Sequence, residues 1–263
     1  MKSKILINSI KLIIITSIFT SFIYSQKPYR VGTSTANFLE IGYGASATAM
    51  GDAFTAVAND VSSIYWNPAG LATLKGSEAA FSVQPWYADI NTSFSAVAIS
   101  LDDIGTVAVG IVAVDYGDMD VTSLDMQDGT GETFSASDIS VSVGYGRRLA
   151  TWFSFGAAAK YISSSIWHTS ASTLAFDLGV LINSGFFSPT DNVEDGLNIG
   201  MSVSNYGGQM QFDGMDLLQP IDPTPGQNGD YKDVKGQYRL GEWELPLMFR
   251  LGVSLNAIRK GNH

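Results

Sequence analysis

The first candidates for chemistry in this 263-residue chain are two histidines and two clusters of aspartates. A Ser-His-Asp hydrolase needs a histidine held between a nucleophile and a carboxylate. His168 falls in a short connection between strand-like segments and His263 is the last residue, so neither sits in a framework for an ordered triad. Asp115, Asp118, Asp120, Asp125 and Asp128 could offer oxygens to calcium, as could Asp213, Asp216, Asp222, Asp230 and Asp233. Neither cluster carries the Asp-x-Asp-x-Asp-Gly spacing with a distal Glu that closes a calcium loop. Solvated loop charge is therefore the better reading of both. Gly42-Tyr43-Gly44 has no strand–helix context and no following lysine, so it reads as a turn and not as a phosphate cradle. The chain has no cysteine, which removes disulfides, thiol catalysis, Cys-ligated metals and a lipoprotein anchor. Its net charge of −10, with no basic stripe, excludes nucleic acid as a partner. The expectation is a protein that is not an enzyme and holds no metal or cofactor.

Four charges are left that fall inside strand-like segments: Asp138, Lys160, Asp177 and Arg250. The elements around them alternate with period two, the mark of strands with two different faces. Leu245, Leu247, Phe249, Leu251, Val253 and Leu255 fall on one face, and Met248, Arg250, Gly252 and Ser254 on the other. Phe153, Phe155, Ala157, Ala159 and Tyr161 oppose Ser154, Gly156, Ala158 and Lys160. Segments around 138–145, 173–182 and 197–204 repeat the pattern, two less polarised ones lie at 93–101 and 104–114, and a first strand lies near 79–87, giving about eight strands. A soluble sandwich would put Lys and Glu on its polar face. Here that face is Ser, Gly, Asn and Thr, and only 15% of the chain is charged, against about 25% in soluble domains. Apolar residues facing lipid around a lumen of small polar ones is the transmembrane-barrel arrangement. The four charges would then point into the lumen, where they pair with one another, hold an inserted segment, or are simply hydrated.

Connection lengths support the same reading. Those near 101–105 and 148–151 are short, whereas 115–132 and 205–243 are long and polar, as with the periplasmic turns and external loops of outer-membrane barrels. The connection at 184–196 is longer than a periplasmic turn should be. Trp86, Tyr87, Trp152, Phe153, Tyr161, Trp167, Phe186, Phe187 and Trp243 sit near strand ends and read as interfacial girdles. Residues 1–25 read as a cleavable leader: Lys2, Lys4 and Lys11, then an apolar run from Leu12 to Tyr24 shorter than a bilayer span, then Ser25 before the cut, with an N-terminal anchor helix over Ile5 to Tyr24 as the alternative. The domain plan is thus a leader at 1–25, a distinct segment at 26–76 and barrel strands over 77–263, placed in a bacterial outer membrane with its lipid as a partner.

Residues 37–74 do not alternate and are rich in Ala and Gly, suiting close packing in a confined space. Asn67 before Pro68 is a helix start with its cap, and the short helix it opens should run to about 74 and end at Gly76. Three stretches here, Ala49-Met50-Gly51-Asp52-Ala53, Ala56-Val57-Ala58-Asn59-Asp60 and Tyr65-Trp66-Asn67-Pro68-Ala69-Gly70-Leu71, resemble the N-terminal region of the FadL-like superfamily, and its PorV/PorQ branch in particular. Phe38-Leu39-Glu40-Ile41-Gly42 and Leu245-Pro246-Leu247-Met248-Phe249-Arg250-Leu251-Gly252-Val253 resemble the same branch. The resemblance implies an all-β, antiparallel transmembrane barrel of about fourteen strands with the N-terminal segment folded into the lumen as a plug. Its motif residues here are Met50, Gly51, Asp60, Trp66, Asn67, Pro68, Ala69 and Gly70. The strand count falls short of that number, and a closed barrel of about eight strands is filled by its own side chains, with no room for the plug. The expectation is a C-terminally truncated barrel, with a complete small barrel and an outer N-terminal segment as the alternative. The resemblance further implies a component of type IX surface-protein secretion with protein partners, or alternatively a channel for hydrophobic small molecules.

Overall fold

The chain divides into two units at Ser34/Thr35, and the second, Thr35–His263, carries the fold. The computed structural model describes residues 34–88, 90–188, 196–223 and 234–255. The leader at 1–25, the acidic positions Asp230 and Asp233, and His263 lie outside the described residues.

Period-two patterning becomes one antiparallel sheet. Its strands are β1 (Glu78–Pro85), β2 (Asn91–Leu101), β3 (Gly105–Asp120), β4 (Thr133–Ala150), β5 (Phe153–Ile166), β6 (Thr169–Ser184) and β7 (Leu197–Gly207), each paired with the next. Three short strands follow in the next connection: β8 (Asp213–Gly214), which pairs with β6, and β9 (Leu218–Pro220) with β10 (Lys235–Gln237), which form a separate ribbon. β11 (Met248–Leu255) then returns to β7. The sheet curls as a half-barrel, and among the described residues β1 and β11 are its two edges. The arrangement is therefore not a small closed barrel with the N-terminal segment outside it. β3, β4 and β6 run for 16, 18 and 16 residues, against about 5–6 in ordinary soluble strands.

The faces are inverted relative to a soluble protein. On β11, Phe249, Leu251 and Val253 are 66%, 61% and 63% exposed, while Gly252 and Ser254 on the other face are partly covered. On β6, Leu174, Phe176 and Leu178 are exposed and Asp177 is fully buried. Small polar side chains thus line the concave face because something packs on it, and the greasy face is left bare. The concave face is not uniformly small and polar, however. Phe94 on β2, Val112 and Val114 on β3, and Ile162 on β5 are buried there. Phe94, Val112 and Val114 blurred the alternation of β2 and β3, and all four pack with aromatic and aliphatic residues of the N-terminal segment.

Other expectations need correcting in detail. Asp115, Asp118 and Asp120 belong to β3, not to a loop. A bulge between Asp115 and Asp118, with Gly117 at φ +73°, lets the β3–β4 ribbon continue to Asp120↔Thr133. The aromatics at the strand ends are largely exposed, but Tyr161 lies within β5 and not at its end. The helix after Asn67 is a 3-10 helix, Pro68–Thr73, which stops at Leu74 before reaching Gly76.

The segment before β1 covers the concave face. It holds a 3-10 turn (Asn37–Glu40), the short helices α1 (Ala45–Ala49) and α2 (Ser63–Trp66), and the Pro68–Thr73 turn. Two glycines show how closely it approaches. A Cβ at Gly156 on β5 would collide with the Pro68 carbonyl group, and one at Gly179 on β6 would collide with the Asn67 side chain. The glycines that alternate on these strands are therefore a groove cut for a backbone.

Candidate functional site

The site is the seat of residues 65–70 against β5, β6, β7 and β11. Asp60 sets the entry: its carboxylate accepts from the Ser62 N–H at 2.8 Å, while the Val61 N–H donates to Glu78 Oε2 at 3.1 Å, tying the turn to β1. Asn67 is extended (φ −159°), fully buried, and uses its whole amide. Its Oδ1 accepts from the Ala69 N–H at 3.2 Å, capping the Pro68–Thr73 turn. Its Nδ2 donates to the Thr55 carbonyl at 2.9 Å and to the Val180 carbonyl of β6 at 3.1 Å. One side chain thus joins the turn, the segment and the sheet. Ser202 Oγ of β7 donates to the Trp66 carbonyl at 3.0 Å. Trp66 Nε1 donates to the Tyr43 carbonyl at 2.7 Å, and Tyr65 O–H to the Leu39 carbonyl at 2.8 Å. Tyr43, Tyr65, Trp66 and Phe94 form a chain of ring contacts between 5.1 and 5.9 Å, mostly edge to face. Burial pushes the Tyr43 and Tyr65 hydroxyls well above their ordinary range, and the Arg250 guanidinium beside Tyr65 opposes this only in part.

Three of the four charges meet at this seat. Lys160 Nζ lies 2.6 Å from Asp177 Oδ2, with side-chain exposures of 4% and 0%. Such a pair is costly to desolvate and persists only when its remaining valences are met. Asn205 meets part of them, leaving Asp177 Oδ2 to the ion pair alone: Lys160 Nζ donates to Asn205 Oδ1 at 3.1 Å, the Asn205 N–H donates to Asp177 Oδ1 at 2.8 Å, and Asn205 Nδ2 donates to the Pro246 carbonyl at 3.0 Å. A bulge makes this possible. Phe176 pairs with Tyr206 and Leu178 with Val203, so Ser204 and Asn205 together face Asp177. With Asn205 at φ +64°, two successive residues turn inward where strict alternation would have sent Asn205 out. The cations also grip the aromatics. Lys160 lies 5.7 Å from the Tyr65 ring centre, and the Arg250 guanidinium 5.4 Å from Tyr65 and 5.2 Å from Trp66. Arg250 further donates to Ser204 Oγ at 3.1 Å.

Asp138 does not join them; it accepts from Tyr116 O–H at 2.6 Å, further along the sheet. Of the motif residues, Asp60, Trp66, Asn67, Pro68, Ala69 and Gly70 belong to the seat and its entry, with Gly70 packed where a Cβ would collide with the Ala58 carbonyl. Met50 and Gly51 instead sit exposed at the end of α1, with Gly51 at φ +61°. Sequence reasoning missed Asn205, which it placed at the start of a loop, and Ser202, which looked like one more small lumenal residue. It also missed Tyr65 as a ring for two cations, although Tyr65 stands beside Trp66 in the motif.

A second constellation lies at the other end of β5. Asp216 grips the β5–β6 turn through both oxygens: the His168 N–H donates to Oδ2 at 3.0 Å, and His168 Nδ1 lies 2.9 Å from Oδ1. β8 pairs with β6 beside it, and Trp167 packs on His168 with ring centres 4.8 Å apart. Among the described residues no hydroxyl bonds the other ring nitrogen, so the pair is a clip for the long connection after β7. Because both partners are partly exposed, Asp216→Ala should lower stability by only about 0.2–1 kcal/mol. The same change should speed proteolytic cleavage within 208–243 several-fold over wild type, and an unchanged rate would show that the clip does not order the connection.

The family model for type IX secretion system protein PorV matches residues 24–230, the greater part of the chain and all of the seat except Arg250 and Pro246. No curated protein matches the chain.

Proposed function

This chain belongs to the family of type IX secretion system protein PorV, and from that premise we propose that it is an outer-membrane β-barrel component of surface-protein secretion, plugged by its N-terminal segment. The observation that carries the membrane reading is the bare apolar convex face. Exposed large hydrophobics recur strand after strand, from Phe81 and Val83 through Val97, Ile99, Val109, Val143 and Leu174 to Leu251 and Val253. Water-soluble monomers rarely expose contiguous apolar patches beyond a few hundred Å². Lipid covers such a face without any change in the fold.

In this reading the segment up to residue 76 is the plug, and the Asn67 seat with the Lys160–Asp177–Asn205 network is its anchor. The sheet end carrying the connections 86–90, 121–132, 167–168 and 208–247 faces outward, and the short-turn end faces the periplasm. Arriving there requires the leader at 1–25 to be removed. The side chains of the seat are spent on holding backbone carbonyls and one another, which supports a binding and positioning role without catalysis. The alternative, a conduit for hydrophobic small molecules, draws no support from the concave face. Its apolar positions are already occupied, Phe94 by the Tyr43 ring at 5.9 Å, and Ile64 packs over Gly110 and Gly144.

The test is gentle extraction of the tagged protein from outer membranes, followed by mass spectrometry of what travels with it. Stoichiometric secretion-system or surface proteins are the expected result. A bound fatty acid or other apolar molecule with no protein partner would overturn the secretion role in favour of transport.

A further inference from the structure

The convex face does not keep one chemistry along its strands. Val97, Val109, Val143, Ala159 and Phe176 lie side by side on β2 to β6, each paired with the next, and all are apolar. Six positions further along each strand, toward the long connections, the row reads Asn91, Asp115, Ser137, Ser165 and Ser170. β8 extends that row with Asp213. Every residue of the second row is polar, and on the convex side each is exposed or half-buried.

The change is sharp on β5 and β6. On β5, Phe153, Phe155, Ala157, Ala159 and Tyr161 are followed on the same face by Ser163 and Ser165. On β6, Ser170 and Ser172 precede Leu174, Phe176 and Leu178. Among the described residues the hydroxyls of Ser163, Ser170 and Ser172 have no hydrogen-bond partner, a state that costs free energy in hydrocarbon and none beside water or headgroups. Tyr161, 48% exposed, is the last ring before the serines. An interfacial tyrosine takes that place, with its ring in the apolar layer and its hydroxyl at headgroup level. Its position within β5 is then the point where the border crosses the strand. From Phe153 to Tyr161 is about nine residues, the length with which a tilted strand crosses a bilayer. β5 nevertheless runs on to Ile166, and the β3–β4 ribbon to Asp120↔Thr133.

We propose, resting on the membrane reading of the convex face, that the hydrocarbon ends at Tyr161 on β5 and Leu174 on β6. The outer parts of β3–β6 stand above it as a hydroxyl-faced wall whose partner is the polar headgroup layer of the lipid surface. The wall is a pedestal: it holds the His168–Asp216 clip and the long connection after β7 clear of the bilayer, within reach of a protein partner.

Bimane on single cysteines reads this border in the full chain, reconstituted into vesicles of phosphatidylcholine with brominated acyl chains. Label at Val143→Cys and Leu178→Cys should be quenched by bromine several-fold more than label at Ser137→Cys and Ser170→Cys, on the same two strands. Aqueous iodide should quench in the opposite order. Equal bromine quenching at all of these positions would carry hydrocarbon to the strand ends and overturn the border while leaving the membrane barrel intact. Absence of bromine quenching at every position would overturn the membrane reading itself, and the border with it. Insertion gives a second readout without a label. Leu178→Arg should lower the yield of vesicle-inserted protein several-fold, whereas Ser137→Arg should leave it unchanged. An equal loss in the two variants would overturn the proposal.

Discussion

Lys160→Met alone should destabilise the protein by about 3–5 kcal/mol, because it strands a fully buried Asp177 carboxylate without its cation. Asn205 would lose the donor to its Oδ1 as well, so the β7 bulge would be held by fewer bonds. The double variant Lys160→Met/Asp177→Asn should recover most of the loss. It removes the buried charge and still leaves an oxygen at position 177 to accept the Asn205 N–H. Urea unfolding in detergent, followed by tryptophan fluorescence, gives both numbers. If the single and double variants lose the same stability, the ion pair is not what the network protects, and the packing of the lysine stem is. If the double variant regains stability but its N-terminal segment becomes protease-sensitive, the charges act chiefly as the anchor of the segment through Tyr65.

Gly156→Leu should cost about 3 kcal/mol, at the upper end of what overpacking does to a fitted interior. Its Cβ would meet the Pro68 carbonyl carbon and oxygen and the Ala69 nitrogen, all of them backbone atoms that cannot swing aside. The sheet itself has no reason to fail, since Gly156 pairs with Gly146 and Gly179 in a regular ladder. The damage should therefore fall on the segment. Limited proteolysis should cut within residues 45–75 while β3–β7 stay protected. Gly76→Leu is the matched control, as a Cβ there meets nothing within 4 Å, and it should be nearly silent. Equal sensitivity of the two variants would show that the segment does not lie against β5.

The outline of the fold could be read from the residues because a sheet with two unlike faces writes its period into the sequence. Most long strands were visible from their alternation, β2 and β3 least clearly, and the open question was what the polar face met. Composition answered part of that: with Ser and Gly in place of Lys and Glu, the polar face could not be a solvated surface. Three features stayed out of reach for physical reasons. The bulge at Asn205 depends on a positive φ at one residue, and Asn is common in loops and bulges alike, so nothing local separates the two. The extension of β3 to Asp120 follows from pairing with β4 beyond a bulge, and aspartates in that stretch argued for a loop. The grouping of Lys160 and Asp177 with Arg250, but not with Asp138, is set by strand register. Lys160 pairs with Ala175 and Asp138 with Ser164, and a register cannot be counted without knowing where each turn begins. In the seat, Asn67 and Pro68 were legible as a cap and first turn because that chemistry is local. The Asn67 bond to Val180, 113 positions away, was not.

A membrane barrel must turn the convex face of this sheet to lipid, and the absence of cysteine provides a clean background for measuring which face does so. Single cysteines at Leu251 on the convex face, Met215 in the long connection after β7 and Ser254 on the concave face can be challenged in intact cells with a membrane-impermeant maleimide. Met215→Cys should label fast from outside. Leu251→Cys should stay unlabelled until the membrane is dissolved in denaturing detergent, and Ser254→Cys should label only once the periplasm is opened. Rapid labelling of Leu251→Cys by the impermeant reagent would place the apolar face in water and contradict the membrane barrel outright.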